Sequence, residues 1–215
     1  EIFPFGNKNW ILNEIKIAEK NRCIAICLCL DAPVRSHRYL DRETNYDARK
    51  FGRRTNPISP DPTKALYYDW ELVKFVKRNT KLPVIVKGIL SISDAIKAIK
   101  KGADSIWISN HGGRMLNSGI SGVDALISIK KKLMKKNIKI IVDGGVRSGS
   151  DIIKYLCLGA DYVSIGRPGI YGLIAGKSLG VKQIFDILIQ EMKTAMTNGG
   201  FKDLKSLKPD RLILD

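Results

Sequence analysis

Short runs of β-branched and apolar residues alternate along the chain with longer segments in which apolar residues recur every three or four positions. Runs of the first kind predict strands of a parallel sheet, and segments of the second kind predict amphipathic helices packed on it. Five such units can be placed. A helix over Trp10 to Lys20, with Ile11, Ile15 and Ala18 on one face, precedes a strand from Ile24 to Leu30 that ends in Asp31-Ala32-Pro33. Further strands are predicted at Pro83 to Val86, Ser105 to Ile108, Lys139 to Val142 and Tyr162 to Ile165. Each of these leads into a helix: Ser93 to Lys101, Gly122 to Lys136, Ser150 to Leu158, and a last pair near Leu173 to Ala175 and Gln183 to Thr197.

Local chemistry supports these boundaries. Ser93-Asp94 and Ser150-Asp151 offer short polar side chains where a helix start needs acceptors, and Gly102 and Gly159 stand where helices stop. Ala98 to Asp104 and Tyr155 to Asp161 are one passage used twice: helix end, Gly-Ala-Asp, next strand. The segment 34–68 breaks the rhythm, being rich in Arg, Asn and Pro without periodicity, and its length predicts an active-site lid. The fold class expected is α/β, the C-terminal portion of a (β/α)8 TIM barrel. Five units do not close eight, and such barrels run to about 250 residues. The 215 residues are therefore expected to form one domain truncated at its N-terminus.

Composition changes this picture little. The 44% hydrophobic and 27% charged residues suit an ordinary globular domain, and no apolar run or leader-like start points to a membrane or to export. A cytoplasmic location is expected. The net charge of +16 would suit a polyanion, but the lysines fall singly or in short runs such as Lys130-Lys131-Lys132, without aromatic interleaving, so no nucleic-acid partner is expected. Of the four cysteines, Cys23, Cys27 and Cys29 occupy odd positions of one apolar stretch, the pattern of buried thiols sharing a strand face; no metal site is expected.

Chemistry in a parallel barrel collects at the C-terminal ends of the strands, where the βα loops converge. Here those ends carry Asp31; Lys87 and Gly88; Ser109, Asn110 and His111; Asp143, Gly144 and Gly145; and Gly166 and Arg167. Ser109-Asn110-His111-Gly112-Gly113-Arg114 is the sharpest element. An imidazole titrates near neutrality and serves as a base, glycines allow a planar ligand to approach, and a guanidinium fork fits a carboxylate.

The chain resembles the FMN-dependent 2-hydroxy-acid oxidases and dehydrogenases, the family of glycolate oxidase, lactate oxidase and mandelate dehydrogenase. The resemblance runs from Asn7-Lys8-Asn9-Trp10 through Leu30-Asp31-Ala32-Pro33, Leu82 to Gly88, the Ser109 to Arg114 segment and Val142 to Asp151, to Ile165-Gly166-Arg167-Pro168. It implies oxidation of a small 2-hydroxy acid, of glycolate or lactate type, to the 2-keto acid with FMN as cofactor and oxygen, a quinone or a cytochrome as electron acceptor. By that resemblance His111 is the base and Asp31 its support, while Arg114 and Arg38 hold the substrate carboxylate. Lys87 lies near the N1 and O2 edge of the flavin and Ser109 bonds the ring; Asp143 accepts from the ribityl chain, and Gly145, Arg147, Gly166 and Arg167 surround the phosphate. A homotetramer is also implied.

Three segments depart from the family pattern. Glu1-Ile2-Phe3 stands where the family reads Gln-x-Tyr, so that a carboxylate replaces a flavin-binding amide and Phe3 meets the substrate without a hydroxyl. Cys29 stands at a threonine that bonds the flavin, and Met115-Leu116-Asn117 replaces Gln-Leu-Asp. These departures leave an alternative, a catalytically inactive or incomplete flavin-barrel remnant.

Overall fold

The computed structural model describes residues 1–4, 6–33, 43–45, 69–116, 118–133 and 137–212. The expected lid over 34–68 lies outside them apart from 43–45, and so does Arg38. Helix α1 (Lys8–Lys20) leads into strand β1 (Ile26–Cys29), and the alternation continues with α2 (Trp70–Arg78), β2 (Val84–Ile89), α3 (Ile92–Lys100), β3 (Ser105–Ile108), α4 (Gly122–Leu133), β4 (Lys139–Val142), α5 (Gly149–Cys157), β5 (Tyr162–Val163) and α6 (Arg167–Asn198). No helix among the described residues is long and apolar enough to cross a membrane.

All strand pairs are parallel and the sheet order is β1-β2-β3-β4-β5. A right-handed crossover between each strand and its immediate neighbour sets every helix on the same side of the sheet, so the sheet is wound as a barrel wall and not doubly wound. The residue pattern agrees. Ile26, Leu28, Val84, Val86, Ile106, Ile108, Ile140 and Val142 are all fully buried and join one core with Ile11 and Ile15 of α1, Val73 and Val76 of α2 and Leu126 and Ile129 of α4. The opposite face carries the register row Cys29↔Lys87↔Trp107↔Ile141, the row that floors the site described below. Ile2 bridges Leu28 in parallel, so Glu1-Ile2-Phe3 continues the sheet beyond β1.

The twice-used passage makes the same hydrogen bonds twice. Gly102 N–H donates to Ile99 O and Ala103 N–H to Ala98 O; Gly159 N–H donates to Leu156 O and Ala160 N–H to Tyr155 O. Gly102 at φ +101 and Gly159 at φ +93 occupy the left-handed conformation that ends a helix at little cost only for glycine. Each Asp then ties down the start of an earlier strand: Asp104 Oδ2 accepts from Val84 N at 2.7 Å and Asp161 Oδ2 from Ile140 N at 2.9 Å.

Several sequence-based expectations are corrected. The first strand begins at Ile26; Ile24 is 90% exposed and Cys23 is exposed too, so only Cys27 and Cys29 share the inner face. The helix caps are Ser91 and Ser148, two residues earlier than expected, and Ser148 forms a reciprocal capping box with Asp151. A helix that the sequence left unassigned, α2, follows β1 after the irregular segment, capped by Asp69 and anchored by Leu72, Val73 and Val76. β2 runs on to Ile89, while β5 stops at Val163. The expected last helix pair is present, but its first arm begins at Arg167 and the break falls at Gly176-Lys177.

Candidate active site

The C-terminal ends of the strands surround a cavity of about 380 Å³ lined by Lys87, Trp107, His111, Arg114, Asp143, Gly145 and their neighbours through Arg147, Gly166 and Arg167. Small-molecule sites span roughly 300–1,000 Å³. A second hollow of about 330 Å³ lies beyond Gly144 and Gly145, against Val123, Tyr155 and Leu158, and among the described residues Lys154 is the only cation that lines it.

His111 opens a 3-10 turn, His111–Gly113, directly after β3. Its own φ of 54° and those of Gly112 and Gly113, 70° and 74°, put three successive residues in left-handed conformations, which two glycines make affordable. The turn is pinned from both sides: Asn110 Oδ1 accepts from Gly113 N at 3.2 Å, and His111 N–H donates to Ser109 Oγ at 3.0 Å. The imidazole Nδ1 lies 3.1 Å from Asp31 Oδ1, and both side chains are about nine-tenths removed from solvent, at 14% and 11% exposure. Arg114 Nε donates back to the His111 carbonyl at 3.4 Å, and the Phe3 ring stands 6.1 Å from the imidazole, tilted by 57°.

Asp31 joins two strand ends. Burial alone would raise its carboxyl, but hydrogen bonds from His111 and Cys29 and the charge of Lys87 outweigh burial and hold it below the ordinary value. An ionised carboxylate only accepts, so His111 Nδ1 carries the proton of this bond, and in the neutral imidazole the lone pair is then on Nε2. Cys29 Sγ donates to the same Oδ1 at 2.9 Å, and burial pushes that thiol up, keeping it protonated. Asp31 Oδ2 is buried without a partner among the described residues. Ligand-capable atoms of Cys29, Asp31 and His111 thus converge within 4.8 Å, a cluster invisible in a sequence that separates two of them by eighty positions. Its hydrogen bonds account for the arrangement.

Lys87 stands 5.5 Å over the Trp107 ring with its side chain only 8% exposed. Burial works against its charge, but the Cys29 sulfur and the Asp31, Glu1 and Asp143 carboxylates together outweigh burial and raise it above the ordinary value, so the ammonium keeps its proton. Asp143 is held by Trp107 Nε1, which donates to Oδ2 at 3.0 Å; burial raises its carboxyl despite the Ser109 hydrogen bond and the Lys87 charge. Ser109 and Cys29 are fully buried and lie behind the lining, where they bond His111 and Asp31. Trp107 was not foreseen as part of the site, although its two-residue offset from Ser109 on one strand was the available signal. Ser164 joins the lining as well.

The far end of the cavity suits a phosphate. The 32-residue α6 begins at Arg167 with Gly166 as an N-cap that offers no side chain; Pro168 has no N–H and Gly169 N–H donates to Gly166 O, so the amide the helix start presents to an anion is that of Arg167. A Cβ on Gly145 or Gly166 would meet nothing within 4 Å, so the backbone borders open space there. Arg167 is exposed beside it, and Arg147 is oriented by its own Nη1 bond to Val146 O at 2.7 Å.

A buried cation at one end of such a cavity and an open helix start with two guanidiniums at the other fit a planar ring carrying a phosphorylated tail. Comparison with known proteins identifies that ligand type. The family model described as FMN-dependent dehydrogenase matches residues 1–214. The chain belongs to this family. It is 36% identical over 222 residues to an L-lactate oxidase of Lentilactobacillus hilgardii, covering 97% of this chain and 60% of the relative, and 34% identical to the L-lactate dehydrogenase (cytochrome) of Saccharomyces cerevisiae, covering 93% of this chain and 36% of the relative. Among solved structures, a mandelate oxidase mutant with the C4a-OH-FMN adduct superposes with a TM-score of 0.83 at 32% identity, covering 94% of this chain and 59% of that one. The chain thus spans about 60% of the length of its lactate oxidase relative. FMN is the family's cofactor, and the α/β architecture is the C-terminal portion of its (β/α)8 barrel.

Proposed function

We propose that the protein oxidises a small 2-hydroxy acid to the 2-keto acid with FMN bound in this cavity. The observation that carries the reading is the His111–Asp31 pair at the mouth of a cavity whose floor is a buried lysine. With Nδ1 turned to Asp31, His111 Nε2 is the free lone pair and takes a proton from the substrate. Asp31 stabilises the imidazolium that results. Arg114, three residues on and lining the same cavity, clamps the substrate carboxylate, with Arg38 as its second cation. Phe3 packs an apolar ring beside the base. FMN, when bound, supplies the two-electron acceptor. Lys87 holds positive charge near its reducible ring, Asp143 accepts from the ribityl chain, and Gly145, Arg147, Gly166 and Arg167 bind the phosphate. Reoxidation falls to oxygen, a quinone or a cytochrome.

The test is the visible spectrum of the full-length, FMN-loaded protein during anaerobic addition of glycolate, lactate and mandelate. One of them bleaches the flavin bands, and His111→Ala slows the bleaching by about 10²–10⁴-fold, the usual contribution of a positioned base. Bound flavin that no hydroxy acid reduces would instead identify an inactive flavin barrel.

A further inference from the structure

Among the described residues Lys87 is the only buried cation, and it does not stand alone. Glu1 Oε1 lies 3.4 Å from Lys87 Nζ, and Glu1 lines the same cavity with its side chain 36% exposed. The β-bridge of Ile2 to Leu28 fixes this position: with Ile2 paired in parallel to β1, Glu1 falls beside Cys27, one step before the row that carries Cys29, Lys87 and Trp107 and on the same face, and its side chain reaches that row at Lys87. Trp107 closes the other side of the ammonium and hands its N–H to Asp143. Asp31 and Asp143 also act on the ammonium, and among the described residues Glu1 is the carboxylate within ion-pair distance of it.

We infer that Glu1 is a redox-tuning residue: its carboxylate offsets the Lys87 charge at the cavity floor, so that FMN bound there is harder to reduce than it would be with a neutral side chain at position 1. The inference rests on the proposed FMN site. Two-electron reduction adds negative charge to the flavin, and a fixed ammonium favours the reduced form over the oxidised one by its uncompensated charge. An opposing carboxylate cancels part of that preference without weakening the binding of the oxidised form to the same degree. A structural role for the pair would act differently: losing it would change folding stability, or change affinity for both redox forms equally, and leave the potential where it was.

The experiment measures the midpoint potential of FMN in the full-length holoprotein by equilibration with reference dyes, for wild type, Glu1→Gln, Glu1→Ala and Glu1→Asp. Glu1→Gln and Glu1→Ala raise the potential by about 30 mV or more, which for a two-electron couple is a tenfold gain in relative affinity for reduced flavin; Glu1→Asp stays near wild type because the charge is kept. Potentials unchanged or lowered in Glu1→Gln and Glu1→Ala, with flavin bound, overturn the inference while leaving the FMN site intact. A wild-type protein that shows no flavin spectrum after loading overturns the FMN site and the inference with it.

Discussion

Gly88 and Asp31 interlock where β1 and β2 leave the sheet: a Cβ on Gly88 would lie 2.7 Å from Asp31 Cγ and 2.9 Å from its backbone nitrogen. Gly88 also sits at φ +96. Asp31 reaches its place beneath His111 because position 88 carries no side chain. Gly88→Ala meets two penalties, about 1–2 kcal/mol for a left-handed conformation and about 1–3 kcal/mol for overpacking. Urea unfolding of this variant shows a loss of roughly 2–5 kcal/mol; a loss under about 0.5 kcal/mol, the range of ordinary surface changes, contradicts the interlock.

The Asp31 carboxyl gives stability a defined pH dependence. Burial raises it, and the His111 and Cys29 hydrogen bonds with the Lys87 charge lower it further than burial raises it. A carboxyl held below its unfolded value contributes stability that is fully present above the ordinary carboxyl range and is lost as pH falls through the lowered value. Asp31→Asn removes that contribution. Unfolding measured from pH 6 downward shows the wild-type advantage over Asp31→Asn shrinking in acid; an advantage that stays constant with pH would mean that the carboxylate is not the group responsible. In turnover the amide no longer fixes the His111 tautomer, and kcat/KM falls at least about tenfold.

The phosphate-binding role proposed for Arg167 can be tested apart from folding. Its side chain is exposed at the open start of α6, and its contribution to stability is that of a surface residue, within about 0.5 kcal/mol. Charge-assisted hydrogen bonds are worth about 1.5–3 kcal/mol, so Arg167→Gln weakens FMN binding by about 10–100-fold. Riboflavin, which has no phosphate, binds the variant and the wild type alike. Calorimetric titration with both flavins checks this, and equal losses for the two would place Arg167 away from the phosphate.

The sequence made the sheet legible because its strands are short, strongly apolar and punctuated: β3 and β4 fall at the predicted residues, and the Gly-Ala-Asp passages mark the αβ turns. Helix starts were less legible, since Ser91 and Ser93 are both plausible caps and only the Ser91 bond to Asp94 N decides between them. Helix α2 escaped notice because nine residues directly after an aperiodic stretch carry too few turns to announce a period. Strand-end reasoning collected Asp31, Lys87, His111 and Asp143 without a structure. It gave no account of Trp107, whose role depends on which face of β3 it takes, or of the contact between Glu1 and Lys87, which are far apart in the chain.

The break in α6 is tight for a reason visible in its glycines. A Cβ on Gly172 would lie 2.6 Å from Gly180 O, so the two arms touch backbone to backbone on either side of Gly176-Lys177. The turn between them must reverse within a few residues, and Lys177 bears that demand with φ 52 and ψ −137, a combination open in practice to glycine alone. Such a conformation costs about 1–3 kcal/mol, and glycine at the same position adds back about 0.5–1 kcal/mol of unfolded-chain entropy. Lys177 is exposed, so its side chain gives up no buried packing when removed. Lys177→Gly therefore stabilises the protein by about 1 kcal/mol, a rise of about 2–4 °C in Tm for a chain of this size. Thermal unfolding measures it directly, and a Tm that stays level or falls means that the arms turn through a relaxed backbone in solution.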